Sequence, residues 1–119
     1  MQPELVLDVQ ATLGEGAIWH TREQRLYWVD IELGRLHGYD PADGTDRVFE
    51  LGQMVGTVVP RSRGGVMVAL QHGFAAFDPQ TGDLTFWGDP EKHLPRNRFN
   101  DGKCDPAGRF WAGTISLDR

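Results

Sequence analysis

The sequence Tyr-Asp-Pro-Ala-Asp-Gly at residues 39–44 decides the fold, because it returns 38 residues later as Phe-Asp-Pro-Gln-Thr-Gly at residues 77–82. In each copy the proline presets φ for a turn, the first aspartate can accept a backbone N–H two residues on, and the glycine accepts positive φ. A third Asp-Pro turn, interpreted as a third copy, begins at Asp105. Recurring turns of this kind predict a chain built from repeated hairpins.

Short runs rich in aromatic and β-branched residues lie next to these turns. The clearest is Arg-Leu-Tyr-Trp-Val-Asp-Ile at residues 25–31, which is too short for a helix and typical of a strand. The strand cores at residues 26–28 and 66–68 are 40 residues apart, and the core at 110–112 follows after 44. A period near 40 with about four strands per unit predicts β-propeller blades. A small β-sandwich is the alternative.

The repeat divides one all-β domain into blades. The first blade is predicted at about residues 16–51 and the second at about 55–87, and the third starts at about 102 and runs to 119. Residues 88–99 are predicted as a loop between blades, and residues 5–7 as an outer strand of the last blade. Propellers close with about four to eight blades, so about two and a half predict the N-terminal part of a six-bladed domain. The remaining blades or self-association would cover the exposed strand edges.

Composition and charge exclude several classes of partner. Twelve Lys and Arg against 17 Asp and Glu give a net charge of −5, which supplies no basic face for nucleic acid or for an anionic membrane. No apolar run approaches the roughly 20 residues of a spanning helix, and the N-terminus lacks a secretion signal, so we expect a cytoplasmic protein. The single cysteine, Cys104, excludes an internal disulfide and is predicted to be buried.

The first polar cluster is Leu-Gly-Glu-Gly at residues 13–16. Glycines on both sides of Glu15 let the backbone turn sharply and let another group approach the carboxylate. A carboxylate presented in this way at the mouth of a strand suits a divalent cation such as Ca²⁺, Mg²⁺, Mn²⁺ or Zn²⁺. The alternative is a solvated glutamate in a turn.

The second polar cluster is Arg-Asn-Arg-Phe-Asn-Asp-Gly-Lys at residues 96–103. In an extended segment Arg98 and Asn100 point to the same side. Together they offer a forked donor and an amide, which can recognise hydroxyl groups or a carboxylate. The alternative is a hairpin turn with flanking surface charges, since Asn-Asp-Gly is itself a turn signal.

The motifs at residues 13–16, 26–31, 98–103 and 105–114, taken in this order, resemble the senescence marker protein/gluconolactonase/luciferin-regenerating enzyme family, the regucalcin-like propellers. The resemblance covers all but about the first dozen residues. It implies a six-bladed propeller that binds one divalent metal ion at the mouth of its central channel. It also implies hydrolysis of a sugar lactone such as gluconolactone.

The resemblance assigns roles position by position. Glu15 matches the metal-ligand glutamate, Arg98 and Asn100 match residues that line the substrate pocket, and Asp118 lies where another acidic residue contacts substrate. Asp101 is interpreted as structural, because it holds the turn that aims Asn100. The family's other metal ligands are an Asn and an Asp from later blades, and that Asp is also the general base. No catalytic residue is therefore assigned among these 119 residues.

The implied cofactor is one divalent metal ion (Ca²⁺, Zn²⁺, Mg²⁺ or Mn²⁺), and the implied partner is a small-molecule sugar lactone. Metal-activated water would attack the lactone carbonyl. Because the site is incomplete, the 119 residues alone are not expected to be active. The alternative function is a non-enzymatic calcium-binding or interaction propeller on the same scaffold.

Overall fold

The computed structural model describes residues 1–118, which form ten β-strands in three antiparallel sheets. The first sheet contains β1 (Gly14–His20), β2 (Arg25–Asp30), β3 (Arg35–Asp40) and β4 (Thr45–Glu50). The second contains β5 (Val55–Pro60), β6 (Val66–Leu70), β7 (Gly73–Phe77) and β8 (Leu84–Gly88), and the third contains β9 (Asn97–Cys104) and β10 (Phe110–Ser116). Nowhere in these residues is there a helix long and apolar enough to cross a membrane.

The first and second sheets are meanders in which every strand pairs with the next. The two repeated Asp-Pro turns close the same hairpin in each, β3 to β4 and β7 to β8. Gly44 and Gly82 sit at φ of 74° and 81°, and their N–H groups each donate to the turn aspartate's carbonyl at 2.8 Å. In both hairpins the Asp-Pro segment therefore forms the turn that the sequence predicts, with glycine at positive φ.

The Asp-Pro turn at Asp105 is not a third copy of this repeat. It joins β9 to β10, the first and second strands of the third sheet. The Asp105 carboxylate accepts the N–H of Ala107 at 2.9 Å, so the turn is stabilised locally and can close any hairpin. The Asp105 turn therefore differs in its place from the two repeated turns, whereas the strand core at 110–112 lies on the second strand of its sheet, as the cores at 26–28 and 66–68 do.

Two local expectations also differ from the structure. β9 begins at Asn97, inside the segment expected to be a loop, because Asn97 pairs with Ser116 of β10 and tertiary pairing overrides its polar sequence. Residues 5–7 form no strand within residues 1–118, and Leu5 is exposed; the blade that they were expected to complete in a closed ring is not among these residues, so that outer strand stays a prediction. Cys104 is also exposed, since no strand or sheet within residues 1–118 covers this end of the third sheet.

The second sheet is packed on both faces. Toward the first sheet, Phe77 meets Phe49 at a ring distance of 5.0 Å. Toward the third sheet, Phe74 meets Phe99 at 4.6 Å and Phe110 at 5.5 Å. The main apolar core lies between the first and second sheets and comprises Tyr27, Val29, Ile31, Leu36, Leu51, Val55, Val58, Val66, Val68, Leu70, Ala75 and Phe77.

A polar network ties the turn after β1 to the turn after β5. His20 Nδ1 accepts the N–H of Glu23 at 3.3 Å, so the Nε2–H donates to the carbonyl of Gly65 at 2.9 Å. The Glu23 carboxylate accepts the N–H of Gly65 at 2.6 Å and the hydroxyl of Tyr27. Burial, reinforced by Glu23, raises the pKa of Tyr27, so the phenol stays protonated as a donor.

Candidate functional site

The first strands of the three sheets lie side by side, with β5 between β1 and β9. Gly56 of β5 lets two of these backbones approach closely. A methyl group at Gly56 would lie 2.3 Å from the carbonyl oxygen of Phe99 and 2.7 Å from that of Asn100. No side chain fits in that space, so glycine at this position sets how closely β9 approaches the inner strands.

Glu15 enters this region through an irregular start of β1. Glu15 of β1 pairs with Val29 of β2, and the next residue of β1 to pair is Ile18, opposite Tyr27. The pairing register shifts between these two pairs, which marks a β-bulge. Gly16 within the bulge has a φ of 68°, which a glycine adopts at little cost. The Glu15 side chain is exposed, so its carboxylate is accessible to a ligand.

Arg98 and Asn100 come together on β9, as the sequence predicts for an extended segment. Nη1 of Arg98 donates to Oδ1 of Asn100 at 3.2 Å and to the carbonyl of Phe99 at 3.0 Å. Both side chains are half-buried. The guanidinium fixes the amide so that its NH₂ group points away from the Arg98 contact, and both side chains keep N–H groups for a ligand.

The carboxylates of Asp118 and Asp101 make hydrogen bonds to groups other than the Arg98 and Asn100 side chains. The Asp118 carboxylate accepts a hydrogen bond from Nε of Arg96 at 2.9 Å, and both side chains are exposed. The structure thus brings Asp118 to Arg96, not to the Arg98–Asn100 pair. The Asp101 carboxylate accepts the N–H of Gly102 at 2.8 Å, a contact that holds the backbone just after Asn100.

Sequence reasoning missed Thr57, a buried polar residue at the centre of β5. Its Oγ1 donates to the carbonyl of Gly102 at 3.4 Å and lies 4.0 Å from the position a Cβ would take at Gly16. Thr57 therefore contacts the neighbourhoods of both Glu15 and Asn100. The available signal was a single hydroxyl within the apolar run of β5, which is typical of a residue with a structural partner.

The described residues supply only part of a metal site. Residues 1–118 contain no group of three or more His, Cys, Asp or Glu side chains that could hold a metal ion. Glu15 and Asn100 offer the oxygen atoms that hard cations prefer, but such cations need about six to eight oxygen ligands. The donors fit a divalent cation in kind, and further ligands would have to complete the set.

Residues 13–119 match the family described as "SMP-30/Gluconolactonase/LRE-like region". The chain belongs to this family. The 6-deoxy-6-sulfogluconolactonase of Pseudomonas putida is 43% identical over 107 residues, covering 88% of the chain and 36% of that protein. Pentonolactonase XacC of Haloferax volcanii is 39% identical over 118 residues, covering 95% of the chain and 38% of that protein.

A solved family member shows the same fold. The regucalcin of Agrobacterium tumefaciens, described as a calcium-binding protein, superimposes with a TM-score of 0.87 at 31% identity over 93% of the chain and 38% of its own length. The all-β propeller prediction and the family assignment are thereby confirmed. The chain spans less than two fifths of the length of each of these three relatives.

Proposed function

We propose that the protein hydrolyses a sugar lactone, with Glu15 as a ligand to one divalent metal ion and Arg98 and Asn100 as substrate-binding residues. The observation that carries the proposal is the Arg98–Asn100 hydrogen bond on an inner strand, in a family whose members include a sulfogluconolactonase and a pentonolactonase. A scaffold that only packs blades together has no need of this donor pair, whereas a site for a hydroxylated ring does.

Arg98 and Asn100 would bind and orient the lactone. The free guanidinium N–H groups and the Asn100 amide can donate to ring hydroxyls and to the ester oxygen atoms. Because the Arg98–Asn100 contact already fixes both side chains, little conformational entropy is lost when substrate binds. The role of this pair is to hold the lactone carbonyl in one position relative to Glu15.

Glu15 would bind the metal ion, and its flanking glycines leave room for a ligand to approach. A divalent cation bound there would supply Lewis-acid polarisation of the carbonyl and a water of lowered pKa. We propose that the carboxylate that accepts the water's proton lies outside residues 1–118. Asp118 would contact substrate only after leaving its ion pair with Arg96.

The test is gluconolactone hydrolysis by the purified full-length protein, which includes any residues beyond these 119, followed by acid release with and without a chelator. We expect chelator to abolish turnover and a divalent cation to restore it. Turnover that persists in chelator would remove the metal ion from the proposal.

Two matched pairs of variants test Glu15 as a metal ligand and Arg98 as a substrate-binding residue. Glu15→Gln should weaken metal binding measured by calorimetry, whereas Glu32→Gln, an exposed glutamate in the turn after β2, should not. Arg98→Ala should raise KM with a smaller change in kcat, whereas Arg109→Ala, an exposed arginine paired with Asp105, should leave KM near the wild-type value. Equal metal affinity in Glu15→Gln and wild type would remove Glu15 from its role.

The second candidate function is a calcium-binding propeller without catalysis. It is favoured by the description of the Agrobacterium tumefaciens relative as a calcium-binding protein. Calcium binding that depends on Glu15, with no hydrolysis of any of a panel of aldonolactones, would favour this second candidate over the lactonase.

A further inference from the structure

A polar cleft of about 580 Å³ lies between the first and second sheets, beside the turn after β1 and the turn after β5. Its lining includes five arginines: Arg22, Arg25, Arg47, Arg61 and Arg63. The chain as a whole carries a net charge of −5, so this concentration of positive charge is local. Both walls come from complete four-stranded sheets, so the cleft is formed entirely by described residues.

Most of these guanidinium groups have no carboxylate partner. Arg25 pairs with Asp40 at 3.3 Å. Within residues 1–118 the other four form no ion pair. Nη1 of Arg22 donates to the carbonyl of Ser62 at 2.8 Å, a contact that links the two turns and leaves the charge uncompensated.

Two of the arginines are positioned by aromatic rings. The guanidinium carbon of Arg47 lies 4.9 Å from the ring centre of Phe49, and that of Arg61 lies 5.6 Å from that of Trp87. Stacking on a ring restrains the guanidinium plane while its N–H edges stay available for an anion. Arg47 lies on β4 of the first sheet and Arg61 in the turn after β5 of the second, so each wall contributes a restrained donor.

The acidic residues of the cleft do not cancel this charge. Glu23 and Asp78 also line it, and Asp40 pairs with Arg25, so five positive charges face three negative charges, a local excess of two. The Glu23 carboxylate is occupied by Gly65 and Tyr27. Oδ1 of Asp78 accepts the N–H of Gln80 at 2.9 Å. Both carboxylates therefore have partners other than the arginines of the cleft.

We propose that this cleft binds the phosphate group of a small phosphorylated molecule. Guanidinium groups bind phosphate oxygens in a bidentate manner, and the volume lies in the range of small-molecule sites. An excess of two positive charges matches a dianion better than a monoanionic carboxylate. The site lies away from Glu15, Arg98 and Asn100, none of which lines it, and the inference is independent of the proposed hydrolysis.

A bound phosphate would touch both walls and so hold the first and second sheets together. A ligand that binds only the folded state raises the melting temperature by mass action. The experiment therefore measures the melting temperature and the calorimetric affinity of the purified protein with sodium pyrophosphate, against sodium chloride at equal ionic strength. We expect pyrophosphate to raise the melting temperature beyond the chloride control.

The decisive variant is the double substitution Arg61→Gln and Arg63→Gln. Its control is Arg96→Gln with Arg109→Gln, which removes the same charge outside the cleft. We expect the cleft variant to bind pyrophosphate at least about tenfold more weakly, since two charge-assisted hydrogen-bonding groups are lost, and the control to bind as wild type. Arg47→Gln, on the opposite wall, should also weaken binding.

Circular dichroism of each variant without ligand establishes that it is folded before its affinity is compared. The proposal fails if pyrophosphate produces no shift in wild type at millimolar concentration, or if the cleft and control variants lose affinity equally. It also fails if sodium gluconate, a monoanionic carboxylate, binds with Arg61 and Arg63 dependence while pyrophosphate does not.

Discussion

The second and third sheets differ in burial far more than in sequence character. In β6, Val66, Val68 and Leu70 are fully buried, whereas Trp111 of β10 is 63% exposed. Both strands are rich in apolar residues, but among residues 1–118 the second sheet has a neighbouring sheet on each face and the third sheet has one on a single face. The comparison teaches that neighbouring sheets, more than strand propensity, determine how much a blade contributes to stability.

The largest expected effect comes from replacing a leucine by alanine in the second sheet. The same substitution just after the last strand of the third sheet is the comparison. Leu70→Ala removes a fully buried side chain from the core and should lower the free energy of unfolding by ~2–5 kcal/mol. Leu117→Ala removes a half-buried one just after β10 and should cost less than about 1.5 kcal/mol. Urea unfolding followed by tryptophan fluorescence measures both. Equal losses would mean that the third sheet is as well packed as the second.

An intermediate effect is expected where the second sheet touches the third. A methyl group at Gly56 would overlap the carbonyl of Phe99, so Gly56→Ala should cost ~1–3 kcal/mol by forcing β5 and β9 apart. Gly113→Ala is the control, because nothing lies within 4 Å of its Cβ position, and it should change stability by less than about 0.5 kcal/mol. A Gly56→Ala protein as stable as Gly113→Ala would show that the two strands separate freely.

The smallest effect concerns a turn within the third sheet and depends on pH. The hydrogen bond from Nε1 of Trp111, with those from Arg109, lowers the pKa of the Asp105 carboxyl below its ordinary value of 3.8. A lowered pKa stabilises the folded state above pH 3.8, and this contribution is lost as the pH falls through the lower folded value.

Asp105→Asn should therefore lower the melting temperature at pH 7, and the difference from wild type should shrink below pH 3.8. Scanning fluorimetry at pH 7, 5 and 3 measures it, with Asp8→Asn in the exposed N-terminal segment as the control for the change in charge. A difference that is constant over this pH range would exclude the carboxylate as the source of stabilisation.

Sequence reasoning works best where local chemistry and tertiary packing agree. Residues 25–31 predict a strand because aromatic and β-branched side chains suit a buried sheet, and β2 occupies residues 25–30. It works for Arg98 and Asn100 because the two-residue period of a strand places them together. It fails at Asn97, where pairing with β10 and packing on β5 impose a strand on polar residues. It also misses Thr57, whose partner, Gly102, lies 45 residues away in the chain.

The Asp30 carboxylate limits where the segment before β1 can be cleaved or fused to a tag. Its buried carboxylate accepts the N–H groups of Thr12 at 3.0 Å and Leu13 at 2.9 Å, which clamps the backbone just before Glu15 enters β1. A fusion partner or protease site placed before Thr12 therefore lies upstream of the anchor and leaves the approach of Glu15 intact. Removing the residues up to and including Leu13 would release that anchor, so one carboxylate sets how far toward β1 a fusion point can be moved.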